Sequence, residues 1–186
     1  QPTKLAALEG QFDTERGAPL RLGGWPDVEA ARTRYALEIP RGLSLLAFHD
    51  PSAEVRGLKA FDRDTWPPVV PVHMSFQIMV GLGTLMAVVS LWSAVSIARR
   101  RELSDQRWLL RALAMVAPFG FIATEAGWTV TEVGRQPWVV QGVLKTADAV
   151  TPMPGLVVPM TTFAVLYVGL GAIVIALVNA MVRETA

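Results

Sequence analysis

Two long stretches of the chain contain no Asp, Glu, Lys or Arg, and they limit its possible folds more than any other feature. They cover residues 65–98 and 149–182. A helix needs about 20 apolar residues to cross a hydrocarbon core of about 30 Å, so each stretch is long enough to span a membrane. Residues 109–133 form a third candidate, interrupted by one arginine near one end and two glutamates toward the other. The sequence therefore predicts an all-α membrane protein, a helical bundle with three transmembrane helices.

The composition supports this class and excludes several others. Hydrophobic residues make up 52% of the 186 residues, which is too many for an ordinary soluble domain. The net charge is only +1, and basic residues are not clustered with aromatic ones, which argues against nucleic-acid binding. Because the chain has no cysteine, a metal would need His, Met or carboxylate ligands, and c-type haem attachment is excluded. The chain begins at Gln1 without a signal peptide, so we expect a segment of a longer protein.

The distribution of arginine predicts how the helices are oriented. Five arginines lie between the first two spans, whereas residues 133–155 contain one arginine and one lysine. Positive residues remain inside, so we expect the arginine-rich loop and the C-terminus to be cytoplasmic. The five are Arg99, Arg100, Arg101, Arg107 and Arg111. The expected organisation is an extracytoplasmic loop at 1–66, transmembrane helices at 67–98, 109–133 and 156–182, a cytoplasmic loop at 99–108 and an extracytoplasmic loop at 134–155.

The first 66 residues contain most of the charge and several turn formers. Their pattern predicts a short helix at 3–12, a turn around Gly23-Gly24-Trp25-Pro26 and an extended stretch at 35–39. Trp66-Pro67-Pro68 ends this segment, because proline disfavours a helical residue before it and suits the first turn of a helix. We expect an external loop with partial structure of its own, and loops of this length usually have a function.

Glu125 is the most informative single residue, because an ionisable side chain at membrane depth is costly without a partner. At 100° per residue it shares a helix face with Phe121, Trp128 and Glu132. Such a face must lie against protein or a cofactor rather than lipid. The alternative is a structural carboxylate paired with a polar group on a neighbouring helix. We favour that alternative for Glu132, which is close to the interface, and a functional role for Glu125.

Met79 is a second candidate, because a thioether can be an axial haem ligand. It shares a face of the first span with Gly83 and Met86, and the nearby Gly81 would let a bulky group approach the backbone. A methionine in an apolar helix is nevertheless far more often a packing residue.

Four further residues have weaker signals. His49 and His73 have no second histidine at metal-ligand spacing, so each is expected to be a hydrogen-bonded structural residue. From spacing alone, Lys4 and Glu9 have the pattern of ordinary solvated charges.

Five motifs in register give a specific resemblance. They are Gln1-Pro2-Thr3-Lys4-Leu5-Ala6-Ala7-Leu8-Glu9, Gly57-Leu58-Lys59, Ser75-Phe76-Gln77-Ile78-Met79-Val80-Gly81-Leu82-Gly83, Glu125-Ala126-Gly127-Trp128 and Gly134-Arg135-Gln136-Pro137-Trp138. In this order they resemble subunit I of the cytochrome bd-type quinol oxidases. The resemblance covers essentially the whole chain and corresponds to the C-terminal half of that subunit, the quinol loop and the last three membrane helices.

The resemblance implies a subunit of a bacterial inner-membrane enzyme that oxidises quinol at the outer face and reduces dioxygen to water through three haems. Lys4 and Glu9 look like the loop residues that engage or deprotonate quinol. Met79 looks like an axial ligand of the low-spin haem b, and Glu125 like the ligand of a high-spin haem. The third haem would be haem d or a further haem b. Arg135 would pair with haem propionates or with Glu132.

The family also implies partners: a second membrane subunit in a heterodimer, the N-terminal half of the same subunit and membrane lipid. The family's histidine ligands belong to that missing half, so the segment alone is not expected to assemble all three haems. Gln77 departs from the arginine, and Phe121 from the tryptophan, that many members have. The region after Lys59 has the short-loop form. The alternatives are a haem-poor membrane scaffold and a transporter segment that uses Glu125 as a proton relay.

Overall fold

The computed structural model describes residues 1–99, 102, 105–150 and 152–185, with Thr185 described by its backbone alone. Arg100 and Arg101, which belong to the predicted cytoplasmic loop, lie outside the described residues. The chain divides into two compact units, residues Gln1–Ala149 and Val150–Ala186.

The external segment of the first unit consists of two short helices and three small antiparallel sheets. Strand pairs β1–β6, β2–β5 and β3–β4 form these sheets. The elements are α1 (Pro2–Leu8), β1 (Glu15–Arg16), β2 (Leu20–Leu22), β3 (Trp25–Asp27), β4 (Arg32–Arg34), β5 (Leu37–Ile39), α2 (Gly42–Phe48) and β6 (Glu54–Val55). The sheets were not predicted, because strands of two or three residues are too short to show a period of two.

The predicted features of this segment are partly confirmed. The extended stretch at 35–39 contains β5, and the predicted turn is present at Gly23 and Gly24, which both have positive φ angles. The helix predicted at 3–12 is wrong at its end, since α1 stops at Leu8. Gly10 adopts a left-handed φ of +60°, which ends the helix before the apolar pattern does.

Two small apolar clusters hold the segment together. The larger one joins Ala6 and Ala7 of α1 to Phe12, Leu58 and Val72, so it connects the segment to the first membrane helix. The smaller one consists of Ala18, Leu43 and Val55. Burial of apolar side chains in the larger cluster therefore anchors the segment to the first membrane helix.

Gly57 allows two parts of this segment to approach each other closely. A Cβ at this position would overlap the carbonyl of Phe12 and the backbone of Asp13. Beside it, the Leu58 N–H donates to the Gln11 carbonyl at 2.9 Å. The Gly57-Leu58-Lys59 motif is thus a point of backbone-to-backbone packing, which only a residue without a side chain permits.

Three helical stretches are long and apolar enough to cross a membrane, as predicted: Val69–Ala98, Arg107–Arg135 and Val157–Glu184. The first is the single helix α3 (Val69–Ala98). The second consists of α4 (Arg107–Val116) and α5 (Phe119–Glu132), which meet at Pro118, where proline interrupts the helical hydrogen bonds. The mostly helical class is therefore confirmed, with small sheets in addition.

α3 packs closely against α5 through small residues. The Met79 sulfur lies 3.1 Å from the place that a Cβ on Gly127 would take, and the Met86 methyl lies 3.7 Å from the corresponding place on Gly120. Two methionines seven residues apart thus face two glycines seven residues apart. Small residues at a helix interface let the neighbouring side chains approach the backbone, as is typical of membrane helices.

After α5, residues Val133–Arg135 form a 3-10 turn, and β7 (Trp138–Val140) pairs with β8 (Leu144–Lys145). The Lys145 ammonium binds the Asp64 carboxylate at 3.0 Å, which ties this hairpin to the external segment.

The second unit contains α6 (Val157–Thr185). Every side chain that the structure describes in this helix is exposed within the chain. Its apolar surface therefore requires lipid or other protein around it.

Candidate functional site

The candidate site begins with Glu9, which follows the last residue of α1. Its side chain is buried, with 4% of its surface exposed, so the interpretation as a solvated charge is wrong for this residue. Its Oε2 atom has no hydrogen-bond partner among the residues that the structure describes. Burial raises the pKa of the Glu9 carboxyl to about 7, and the positive charge of Arg21 partly offsets this effect. A buried carboxyl with a raised pKa is typical of functional sites.

Glu9 lines a cavity of about 350 Å³ between the external segment and α3. Most of the other lining side chains are aliphatic, and they come from α1, β2 and α2. On the membrane side, the wall is formed by Phe76, Gln77 and Val80 of α3. A largely apolar cavity with a few polar groups has the character of a small-molecule site.

Gln77 fixes the position of the backbone between Arg21 and Gly23, beside this cavity. Its Nε2 donates to the Arg21 carbonyl at 3.0 Å, and its Oε1 accepts from the Gly23 N–H at 3.0 Å. A neutral amide can donate and accept at once, whereas an arginine at this position could only donate. The departure at Gln77 therefore has a structural role in this chain.

Arg21 is a charged lining residue of this cavity that sequence reasoning missed. It lines the cavity, and its guanidinium donates to Glu38 at 3.0 Å through Nε and to the Gln11 side chain. Nothing in the sequence distinguishes it from the other arginines of the segment, because its place depends on the pairing of β2 with β5.

His73 is a structural residue, as predicted. It is fully buried, its Nδ1 lies 2.7 Å from the Leu8 carbonyl and its Nε2 lies 3.2 Å from the Gly23 carbonyl. The ring thus connects α3 to the end of α1 and to the turn after β2. His49 is exposed at the end of α2.

Lys4 lies apart from Glu9, on another side of α1. Its side chain packs against Gly134, with Cε 3.0 Å from the place of an added Cβ. Arg135 is exposed and borders the same small surface depression as Lys4. Among the described residues, Arg135 forms no ion pair with Glu132. The structure therefore brings Lys4 and Arg135 together and separates both from the cavity of Glu9.

Met79 and Glu125 lie on the two helices that pack against each other. Met79 is half-buried with its sulfur against Gly127, two residues beyond Glu125. Gly83, on the same face of α3 as Met79, has no heavy atom within 4 Å of an added Cβ, so the backbone is open to a bulky group there. The donor is a soft thioether of the kind that haem iron accepts.

The face of α5 that contains Glu125 is not covered by the described part of the chain. Phe121 is 81% exposed and Trp128 is 64% exposed, and Glu125 itself is exposed. No described residue forms a hydrogen bond or ion pair with its carboxylate. An available carboxylate flanked by uncovered aromatic rings has the chemistry to hold a cationic group such as a haem iron. Within the described residues, no group of three His, Cys, Asp or Glu is close enough to hold a metal ion by itself.

The whole chain, residues 1–186, matches the family model of cytochrome bd terminal oxidase subunit I. A Bacillus subtilis (strain 168) protein, provisionally named cytochrome bd menaquinol oxidase subunit I, is 41% identical over 178 residues, covering 94% of this chain and 39% of that protein. Cytochrome bd ubiquinol oxidase subunit 1 of the same organism is 35% identical over 191 residues, covering 95% of this chain and 40% of that protein.

A solved structure is similar as well. The bd oxidase from Geobacillus thermodenitrificans superposes with a TM-score of 0.81 at 38% identity, covering 100% of this chain and 43% of that chain. The chain thus spans about two fifths of the length of the curated relatives.

Proposed function

The chain belongs to the cytochrome bd terminal oxidase subunit I family, and on that premise we propose that it forms part of a quinol:oxygen oxidoreductase of the bacterial inner membrane. The family resemblance inferred from the sequence is confirmed. The proposed complex oxidises quinol at the outer face of the membrane, reduces dioxygen to water and contributes to the proton gradient.

The observation that supports this proposal is the buried Glu9 carboxyl in a largely apolar cavity beside α3. A quinol head group is a flat, mostly apolar ring with two hydroxyl groups, and a cavity of about 350 Å³ lies within the usual range for small-molecule sites. Oxidation releases the hydroxyl protons, so the site needs a base. With a pKa of about 7, Glu9 is suited to accept a proton near neutral pH and to release it afterwards.

The role of Lys4 in the quinol loop stays a prediction, and Lys4 lies in a different place from Glu9. Since its side chain packs on Gly134, we propose that it docks the start of α1 onto the turn after α5. Lys4 would then affect quinol binding indirectly, because it holds the loop in position, and its ammonium would not line this cavity.

We propose that the Met79 thioether would hold the low-spin haem b and that the Glu125 carboxylate would hold a high-spin haem. The third haem is haem d or a further haem b. When bound, the haems supply one-electron transfer and the reduction of dioxygen. Glu125 would gain a cationic partner in the iron, which offsets the cost of a carboxylate at that depth. Arg135 is proposed to pair with haem propionates.

The proposed partners follow from the surfaces that the chain leaves uncovered and from the family. They are the second membrane subunit, the N-terminal half of the same subunit and membrane lipid. We propose that residues 1–66 and 134–155 are extracytoplasmic and that 99–108 and the C-terminus are cytoplasmic.

The quinol site is tested by Glu9→Gln in the full-length complex, with Glu54→Gln as a matched control. Glu54 is a carboxylate of the same segment, but its side chain is 50% exposed. Removing a general base should lower quinol-dependent oxygen consumption by about a hundredfold or more, while the control retains the parent rate. Full activity of Glu9→Gln would remove Glu9 and this cavity from the mechanism.

The haem ligands are tested by spectra and oxygen consumption. Met79→Leu should weaken the low-spin b-type bands in reduced-minus-oxidised spectra, because leucine has no donor atom. Glu125→Ala should abolish oxygen consumption. If both variants kept the parent spectrum and rate, the haem-poor scaffold or the transporter would explain the chain better.

A further inference from the structure

Arg21 lies in the wall between two cavities of different character. One is the cavity of about 350 Å³ that contains Glu9. The other has a volume of about 180 Å³, and its lining includes Asp13, Glu15 and Glu38. Of the described residues that line these two cavities, Arg21 is the one that they share. Arg21 therefore lies between a largely apolar cavity and a more polar one.

The contacts of Arg21 fix its side chain in this wall. Its Nε donates to Glu38 at 3.0 Å, and a terminal nitrogen donates to the side chain of the fully buried Gln11. The Arg21 side chain is 12% exposed, whereas that of Glu38 is 52% exposed. A guanidinium is charged at every accessible pH, so it provides a fixed positive charge and does not itself transfer protons.

Other ionisable groups near α1 are directed elsewhere. Several described residues on the elements that pack against α1 are ionisable. Arg135 lies beside Lys4, and Lys59 pairs with a carboxylate on the exposed surface. His73 is bound at both ring nitrogens to backbone carbonyls. None of these four lines the cavity that contains Glu9. Among these described residues, Arg21 is therefore the one that lines the cavity with Glu9 and supplies a positive charge that acts on its carboxyl.

We propose that Arg21 is a positioning residue of the quinol cavity, which keeps Glu9 ionised and so able to accept a proton from quinol, while Glu38 holds the guanidinium in place. This inference rests on the proposed role of Glu9. Burial of Glu9 favours its neutral form, and an opposite charge nearby counteracts that preference. Without Arg21, Glu9 would be protonated over more of the working pH range and could not serve as a base.

The test is the pH dependence of quinol-driven oxygen consumption in the full complex. In Arg21→Gln, the acid limb of the profile should move to higher pH by about one unit, so that activity falls about tenfold at low pH and recovers on the alkaline side. Arg21→Lys, which retains the charge, should restore the parent profile. Arg34→Gln is the matched control, because Arg34 is on the same segment but pairs with Asp27, and it should leave the profile unchanged.

A merely structural role would lower activity at every pH without moving the limb, and that result would overturn the inference. If the complex with Arg21→Gln does not assemble, the pH profile of Glu38→Gln tests the inference instead. This substitution removes the negative charge beside Arg21, while the amide oxygen of the new side chain can still accept from Nε, so the limb should move to lower pH by about half a unit. An unchanged or higher midpoint would refute the inference. If Glu9→Gln is inactive and the acid limb does not move in Arg21→Gln, only the inference about Arg21 fails. If Glu9→Gln is fully active, both this inference and the proposed role of Glu9 in quinol oxidation fail.

Discussion

Glu9 should make the external segment less stable at alkaline pH, and Glu9→Gln should relieve this effect. The pKa of its carboxyl is 4.5 as the ordinary value and about 7 in the fold. The folded segment therefore binds the proton more tightly than the unfolded chain between these two values. It follows that the free energy of unfolding of the segment falls as the pH rises from about 4.5 to about 7 and stays low above pH 7.

The magnitude follows from the difference between the two pKa values. Each unit corresponds to about 1.4 kcal/mol, so the rise to about 7 corresponds to about 3 kcal/mol for the fully ionised group. No large reduction for solvent is needed, because the side chain is 4% exposed. Glutamine has the same shape and no charge, so it should recover about 3 kcal/mol at pH 8.5 and about 1 kcal/mol or less at pH 5.

Hydrogen exchange of peptides from residues 1–66 measures this local stability in the intact complex. Parent and Glu9→Gln proteins are compared at the same pH, which cancels the intrinsic pH dependence of exchange. At pH 8.5 the variant should exchange roughly a hundredfold more slowly, with little difference at pH 5. Glu54→Gln should show no such pH dependence. A difference of equal size at both pH values would refute the reasoning, because it would show that ionisation of Glu9 is not the cause of the lower stability of the segment.

Two glycine substitutions test the packing of the segment and of the helices. Gly57→Ala should cost about 3 kcal/mol through its overlap with the facing backbone and increase hydrogen exchange throughout the segment, and unchanged exchange would contradict this close approach. Gly127→Ala should displace the Met79 sulfur by a few tenths of an ångström and shift the low-spin haem spectrum. Gly120→Ala, with its nearest atom at an ordinary 3.7 Å, should leave the spectrum unchanged, and equal shifts in both would contradict the assigned contact.

The separation of Lys4 from Glu9 shows why one part of the site could not be predicted. Both belong to one motif, and on spacing alone both had the pattern of solvated charges. The fold turns Lys4 toward Gly134 and Glu9 into the cavity. Helix periodicity alone predicts that residues five apart point about 140° apart. Which of the two side chains meets a cavity depends on how α1 docks on the rest of the fold, and no local pattern specifies that.

The sequence by itself determined the membrane class, the three apolar spans and the family. Those properties depend on the local composition and order of residues, and the cost of burying charge in lipid leaves few alternatives for a stretch without charges. The tertiary structure decided that Glu9 is buried, that Arg21 faces its cavity and that Met79 meets Gly127. These contacts join residues far apart in the chain, through the pairing of β2 with β5 and the docking of α1 on α3. No local pattern specifies such contacts, because their stability comes from packing between elements.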